Sequence, residues 1–436
     1  MVMISDKTPG PFTLRFCKAI NAHPDEVSAC LWGFGLFFFL FTGYAVLRPV
    51  RDAMGIASGL HNLQWLFSST FIVMLLAVPL YGWLNARVAR AQFINWVYSF
   101  FALNMLGFAC CLFLWPASLW VARAFFVWLS VFNLFVVSVA WSLMADIFRK
   151  EQAGRLFGFI ASGASIGGIT GPVAGALLVS IVSLPGLMVV SAFLLGGSLL
   201  AKSRLMAWRT SQENEEECEA RYRPVRGNPF AGFTMVMRSP YLLCLAAFVM
   251  LLSTSSTFLY FEQARLVAVT FPSRVEQVRV FSIIDSAVQA LSLLCQVVIT
   301  GRFAHRFGVK GLLTIAPLII TAGFLMLAIW PVFVMVATVM AIRRVSEYAF
   351  IRPGREILFT PMPADVKYRA KSFLDTVVYR AGDAVSGWTI AAITAVSQSS
   401  VVVSLAGAAL AFIWAGTGYF LGGQDDQSFR SEKKST

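Results

Sequence analysis

The sequence predicts an all-α polytopic membrane protein, with twelve transmembrane helices in two six-helix pseudo-symmetric bundles. Three observations carry this. The 436 residues are 58% hydrophobic and only 13% charged, where soluble domains are about a quarter charged. Apolar stretches long enough to cross a bilayer, which takes about 20 residues, recur twelve times: 28–47, 64–84, 93–114, 120–144, 156–181, 185–201, 240–262, 280–300, 311–330, 331–351, 372–396 and 400–421. A short pattern also recurs. Gly82, Asn85, Arg87 and Arg90 close the second stretch, and Gly301, His305, Arg306 and Lys310 close the eighth, at an offset of 219 residues. A repeat at half the chain length marks a duplicated six-helix unit.

These stretches divide the chain into a cytoplasmic arm (1–27), a first bundle (28–201), a cytoplasmic linker (202–238), a second bundle (239–421) and a cytoplasmic tail (422–436). The first stretch starts too late, and lacks the small-residue cleavage site, for a secretory signal. A net charge of +13 would allow nucleic acid as a partner, but its placement argues otherwise. With the N-terminus inside, cytoplasmic segments hold 26 of the 35 lysines and arginines, and the opposite side holds five: Arg48, Arg51, Arg265, Arg274 and Arg279. This is the positive-inside bias, and it puts both termini in the cytoplasm. The expected surroundings are a lipid bilayer and a small-molecule substrate, with no nucleic acid and the chain acting as a monomer. None of the seven cysteines is paired at metal-ligand spacing, so they read as small hydrophobes, and neither metal nor cofactor is expected.

The first span runs into Arg48, Arg51 and Asp52. Residues three and four apart share a helix face, so these three cluster and leave net positive charge at the span's mouth. Charge at membrane depth costs about 2.5–3.5 kcal/mol per residue on the insertion scale, so it marks a ligand path. The alternative is a span that stops at Leu47, with the arginines as headgroup anchors. Span four carries Arg123 near its outer end. Span five places Gly167, Gly171 and Gly175 four apart, a bare face that a neighbouring helix can approach closely, with a kink expected at Pro172. The linker, with Glu213 to Glu217 among Arg209, Arg221, Arg223 and Arg226, reads as solvated.

In the second half, span seven holds the hydroxyl run Ser253 to Thr257, then Tyr260 and Glu262. Span eight holds Asp285, and span ten holds Arg343, Arg344 and Glu347. Glu347 is one turn from both arginines, so a neutralised pair is expected there; if this trio lies in the inner half of the span, snorkelling is the alternative. Arg352 to Pro361 reads as a cytoplasmic loop broken by proline and glycine. Span eleven then carries Asp375, Tyr379, Arg380 and Asp383. A helix entering lipid with these side chains faces a cavity or a partner helix.

The two loop patterns resemble the signature between helices two and three of each half of the major facilitator superfamily, with Asn85 and His305 where that family usually has aspartate. The glycine-proline stretch of span five is similar to that of facilitator-family antiporters. Arg48, Arg51 and Asp52, together with Arg355 through Lys367, Lys371 and Asp375 to Arg380 and Asp383, resemble the ATP/ADP translocase family of intracellular bacteria and plastids, and more closely its free-living bacterial relatives. The resemblance implies a bacterial inner-membrane carrier with the facilitator fold, and phosphate contact at Arg51, which stands where proven nucleotide exchangers usually have lysine. Pro49 is a further departure from the family pattern.

Two transporter readings follow. In the first, an alternating-access carrier binds a phosphorylated or other anionic metabolite through Arg48, Arg51, Arg123 and Arg380. Asp52, Asp285, Arg343, Arg344, Glu347, Asp375, Tyr379 and Asp383 serve gating or coupling, and one anion is exchanged for another. In the second, a proton-coupled facilitator moves a neutral or cationic compound, and one of the carboxylates carries the proton. An enzyme is not expected: there is no H-E-x-x-H, no Walker-A loop and no Ser–His constellation, and only His23, His61 and His305 are histidines.

Overall fold

A computed structural model describes Cys17 and residues 22–85, 90–211, 231–360, 362–397 and 399–435. The described residues are helical: α1 Val27–Ala57, α2 Leu63–Asn85, α3 Arg90–Leu114, α4 Leu119–Ile147, α5 Lys150–Thr210, α6 Ala231–Arg238, α7 Pro240–Thr270, α8 Arg274–Cys295, α9 Gly301–Ile329, α10 Phe333–Ser346, α11 Arg352–Leu358, α12 Ala364–Phe373, α13 Tyr379–Ser397 and α14 Ser400–Ser435. Eight helical stretches are long and apolar enough to cross a membrane, and two of them, of 60 and 56 residues, are long enough to cross twice. The first of these breaks at Ser183 (φ 59°) in α5, the second at Gly308 (φ 62°) in α9. The π-turns Glu347–Ile351 and Leu374–Val378 join α10 to α11 and α12 to α13, completing two further, charge-bearing spans. This architecture is consistent with twelve crossings.

Several boundaries differ from the sequence reading. Helix α1 does not stop at Leu47 but carries Pro49 inside it and ends at Ala57; packed neighbours re-satisfy the backbone that a proline frees. The break between the fifth and sixth spans, at Ser183, falls in the expected gap between 181 and 185, and Pro172 lies within α5. The segment expected as a cytoplasmic loop is helix α11, which continues directly from the π-turn Glu347–Ile351 and carries Pro353 within the helical run. Helix continues to Thr210 and restarts at Ala231 inside the expected linker, and α14 runs on into the expected tail. The linker cluster Glu213 to Glu217 with Arg221, Arg223 and Arg226 lies outside the described residues, as do Arg87 and the first arm's Lys7, Arg15 and Lys18.

The buried apolar side chains form two main clusters. One gathers residues 29–205 with Val278, the other residues 236–421. Within the first, α5 lies directly on α1. A Cβ on Gly163 would stand 2.3 Å from the Phe34 carbonyl oxygen, one on Gly167 2.6 Å from that of Phe38, and one on Gly171 2.7 Å from that of Thr42. The expected bare face is therefore a backbone-to-backbone seam.

The halves meet at the end of the fold where α1 finishes. Trp65 and Trp388 pack edge to face at 4.8 Å, and Trp388 Nε1 donates to Ser68 Oγ at 2.9 Å. Phe67 sits against Phe126, Tyr260 and Phe261. Arg274 donates to the Pro116 carbonyl, and Arg279 to Ser180 Oγ, each at 2.6 Å. This end is closed, while the space between the halves extends toward the opposite end.

Candidate functional site

That space is a cavity of about 780 Å³. Helix α1 builds one wall with Phe41, Tyr44, Arg48, Arg51 and Asp52, which follow one another at helical spacing on one face. Arg51 donates to Asp52 Oδ1 from Nε at 3.1 Å and from Nη2 at 2.8 Å, and its guanidinium lies over Phe126 at 5.0 Å. Tyr260 Oη donates to the same carboxylate oxygen at 3.3 Å from the other half of the protein.

Asp285 of α8 sits between two arginines. Arg344 Nη1 donates to its Oδ1, and Arg48 Nε lies 3.7 Å from its Oδ2. Asp285, Arg343, Arg344 and Glu347 are all buried, so each charge needs its partner. Arg343 Nη1 donates to Glu347 Oε2 at 3.1 Å, and Arg352 approaches Glu347 Oε1 at 3.5 Å while stacking on Tyr348 at 4.5 Å. The π-turn explains the alignment. Its extra residue brings Arg352, eight positions after Arg344, back to the cavity face, as a residue seven positions on would be in an uninterrupted helix. Toward the open end, Arg355 Nη2 donates to Asp375 Oδ1 and Lys371 Nζ to Glu356 Oε1. Deeper in, Arg380 Nη1 donates to Asp383 Oδ2 at 3.1 Å, and Ser253 Oγ and Thr257 Oγ1 lie 2.6 and 2.9 Å from Asp383 Oδ1.

Eleven of the expected site residues line this one cavity: Arg48, Arg51, Asp52, Asp285, Arg343, Arg344, Glu347, Asp375, Tyr379, Arg380 and Asp383. The twelfth, Arg123, does not. Its guanidinium lies over Trp120 at 5.2 Å, and its Nη2 donates to the Ser58 carbonyl at 3.5 Å. It ties α4 to the end of α1, and the expectation that it contacts substrate is corrected. Neither the headgroup-anchor reading of Arg48 and Arg51 nor snorkelling of Arg343 and Arg344 fits these positions. Arg352, Arg355 and Glu356, which the sequence reading left in a loop, join the lining, as does Lys371 just ahead of the expected span eleven. The lining thus holds eight basic and six acidic side chains, with aromatic walls that include Phe67, Trp141 and Tyr348. An excess of guanidinium forks beside aromatic faces suits an anion with a flat or apolar body.

The family model described as Major Facilitator Superfamily matches residues 28–354. The chain belongs to the major facilitator superfamily. It is a transporter and not an enzyme. Similar solved structures include a bacterial homologue of the human lysosomal transporter Spinster in an inward-facing, unoccupied conformation, 14% identical over 93% of this chain and 98% of that one, with a TM-score of 0.59. A POT family transporter in complex with a thioalcohol-conjugated peptide is 10% identical over 90% and 96%, with a TM-score of 0.63. A bacterial homologue of the iron transporter ferroportin in the inward-facing state is 15% identical over 91% and 98%, with a TM-score of 0.60. No curated protein matches the chain. The family model and these structures are not specific to ATP/ADP translocases.

Proposed function

We propose that this superfamily member carries a phosphorylated or other anionic metabolite, such as a nucleotide, by alternating access, exchanging one anion for another across a bacterial inner membrane with both termini in the cytoplasm. The excess of basic over acidic side chains around one cavity carries this reading. The carboxylates hold the arginines in the empty site, and an anion takes their place. The supply of donors agrees: Arg343 Nε, Arg344 Nε and Nη2, and Arg355 Nε are buried without a hydrogen-bond partner, and an anion with several acceptor oxygens meets such donors in pairs. The cavity volume falls within the 300–1,000 Å³ range typical of small-molecule sites.

Ligands that bind only the folded state raise its melting temperature. Purified protein is therefore screened against matched phosphorylated and non-phosphorylated metabolites. Stabilisation by the phosphorylated member of each pair supports the reading. Stabilisation by neutral or cationic compounds alone contradicts it.

A further inference from the structure

The hydrogen bonds around Asp383 do not balance if it is an ordinary carboxylate. Ser253 Oγ lies 2.7 Å from the Tyr379 carbonyl oxygen and 2.6 Å from Asp383 Oδ1, and Thr257 Oγ1 lies 2.9 Å from the same Oδ1. A hydroxyl carries one hydrogen, while a carbonyl and an ionised carboxylate carry none. Three short oxygen–oxygen contacts thus share two hydrogens. One added proton on Oδ1 completes the chain: Asp383 donates to Ser253 Oγ, Ser253 donates to the Tyr379 carbonyl, and Thr257 donates to Asp383. A hard metal cation fits less well. Among the described residues, no three histidine, cysteine or acidic side chains gather in a way that could hold one.

The surroundings supply what a proton site needs. Asp383 is 5% exposed, at the wall of the cavity. Its own helix presents Arg380, bonded to Oδ2, and Tyr379. Helix α7 presents the two hydroxyls and, further along, Tyr260, which is bonded to Asp52. Across the cavity, Arg343 and Glu347 are paired with each other. The other helices packed on α13 are α2 and α14. In α2 the only ionisable side chain is Tyr81, which packs on Phe93 and Phe135. In the described side chains of α14 it is Tyr419, which lies under Lys310.

We infer that Asp383, with Ser253, Thr257 and the Tyr379 carbonyl, is a proton-binding site that couples the carrier to protons. The inference rests on the proposed anionic substrate. The proton adds to Asp383 Oδ1 from solvent, no other bond changes, and the carboxylate becomes a neutral acid. Arg380 then keeps its bond to Oδ2 but loses its counter-charge, and its guanidinium turns its full charge on the cavity. A bound anion stabilises that charge, so proton and anion favour each other's binding, and by linkage the effect is reciprocal.

The test is proton uptake on binding, measured by titration calorimetry with ATP as probe, in buffers of different ionisation enthalpy between pH 7 and 8.5. Asp383→Asn mimics the protonated acid, and the difference between the two proteins removes the nucleotide's own proton. The expected result is that wild type takes up more protons per ATP than Asp383→Asn, and that wild-type affinity falls up to tenfold per pH unit relative to the variant. Ser253→Ala, which keeps the carboxyl, moves the midpoint of that pH dependence by about one unit, the size expected for one hydrogen bond to an ionisable group. Equal proton uptake in wild type and Asp383→Asn, or an unmoved midpoint in Ser253→Ala, overturns the proton site while leaving the anion carrier in place. If folded wild type binds none of ATP, ADP or inorganic phosphate, the anionic-substrate reading fails, and the coupling inference falls with it.

Discussion

Arg48 of the first half and Asp285 of the second face each other at 3.7 Å across the cavity, and Asp285 also accepts from Arg344 of its own half. One carboxylate therefore serves two guanidiniums, one of them across the boundary that alternating access must open and close. On the proposed reading, an incoming anion takes the place of Asp285 between Arg48 and Arg344.

Asp285→Asn leaves both arginines without their counter-charge. Breaking a buried pair in this way costs about 3–5 kcal/mol, so the variant melts lower than wild type. Anionic ligand added to the variant recovers more stability than it adds to wild type, because it supplies the missing charge. Ligand-dependent melting of the two proteins, side by side, checks this. Equal ligand shifts would remove Asp285 from the site.

Arg51 forks onto Asp52 and stacks on Phe126. Arg51→Lys keeps the charge but loses the fork, and keeps part of the uptake. Arg51→Gln loses it. Arg380→Ala abolishes uptake while the protein still folds. Initial rates in proteoliposomes check all three, and equal transport by the Lys and Gln variants would leave Arg51 a structural role only.

The closed end is held where α2 meets α13. A Cβ on Gly387 would stand 3.3 Å from Gln64 Cβ, near the roughly 3.5–4.5 Å that a disulfide spans. The double variant Gln64→Cys, Gly387→Cys is expected to cross-link under mild oxidation, stop transport and recover on reduction. Each single variant, treated alike, controls for the native cysteines. Full transport by the cross-linked protein would show that this end does not open.

Gly167 has no room for a side chain, since its Cβ would stand 2.6 Å from the Phe38 carbonyl oxygen, whereas a Cβ on Gly158 meets nothing within 4 Å. Gly167→Ala forces α1 and α5 apart and is expected to destabilise by about 1–3 kcal/mol, as overpacking does. Gly158→Ala is neutral or slightly stabilising, because alanine is the better helix former. Melting temperatures of the two variants decide.

Much of this was legible in the sequence. The apolar lengths and the paired loop patterns foretold the superfamily fold, because bilayer thickness fixes span length and duplication leaves a repeat. The charges in spans one, eight, ten and eleven marked the cavity, because lipid does not tolerate them elsewhere. Arg123 misled for want of a rotational register: one helical charge near a span's end can tie helices as readily as line a cavity. Arg352 and Arg355 were hidden by Pro353 and Gly354, which read as a loop. The π-turn at Glu347 that realigns them has no sequence signal of its own, although Arg344, Tyr348, Arg352 and Arg355 already stood at near-helical spacing.

The central claim is anion exchange through one arginine-lined cavity. The most direct measurement is uptake of labelled ATP into proteoliposomes of purified protein, with and without unlabelled nucleotide or phosphate inside. The expected result is uptake that depends on internal anion and is lost in Arg380→Ala. Uptake that is indifferent to internal anion and collapses with a protonophore would contradict exchange.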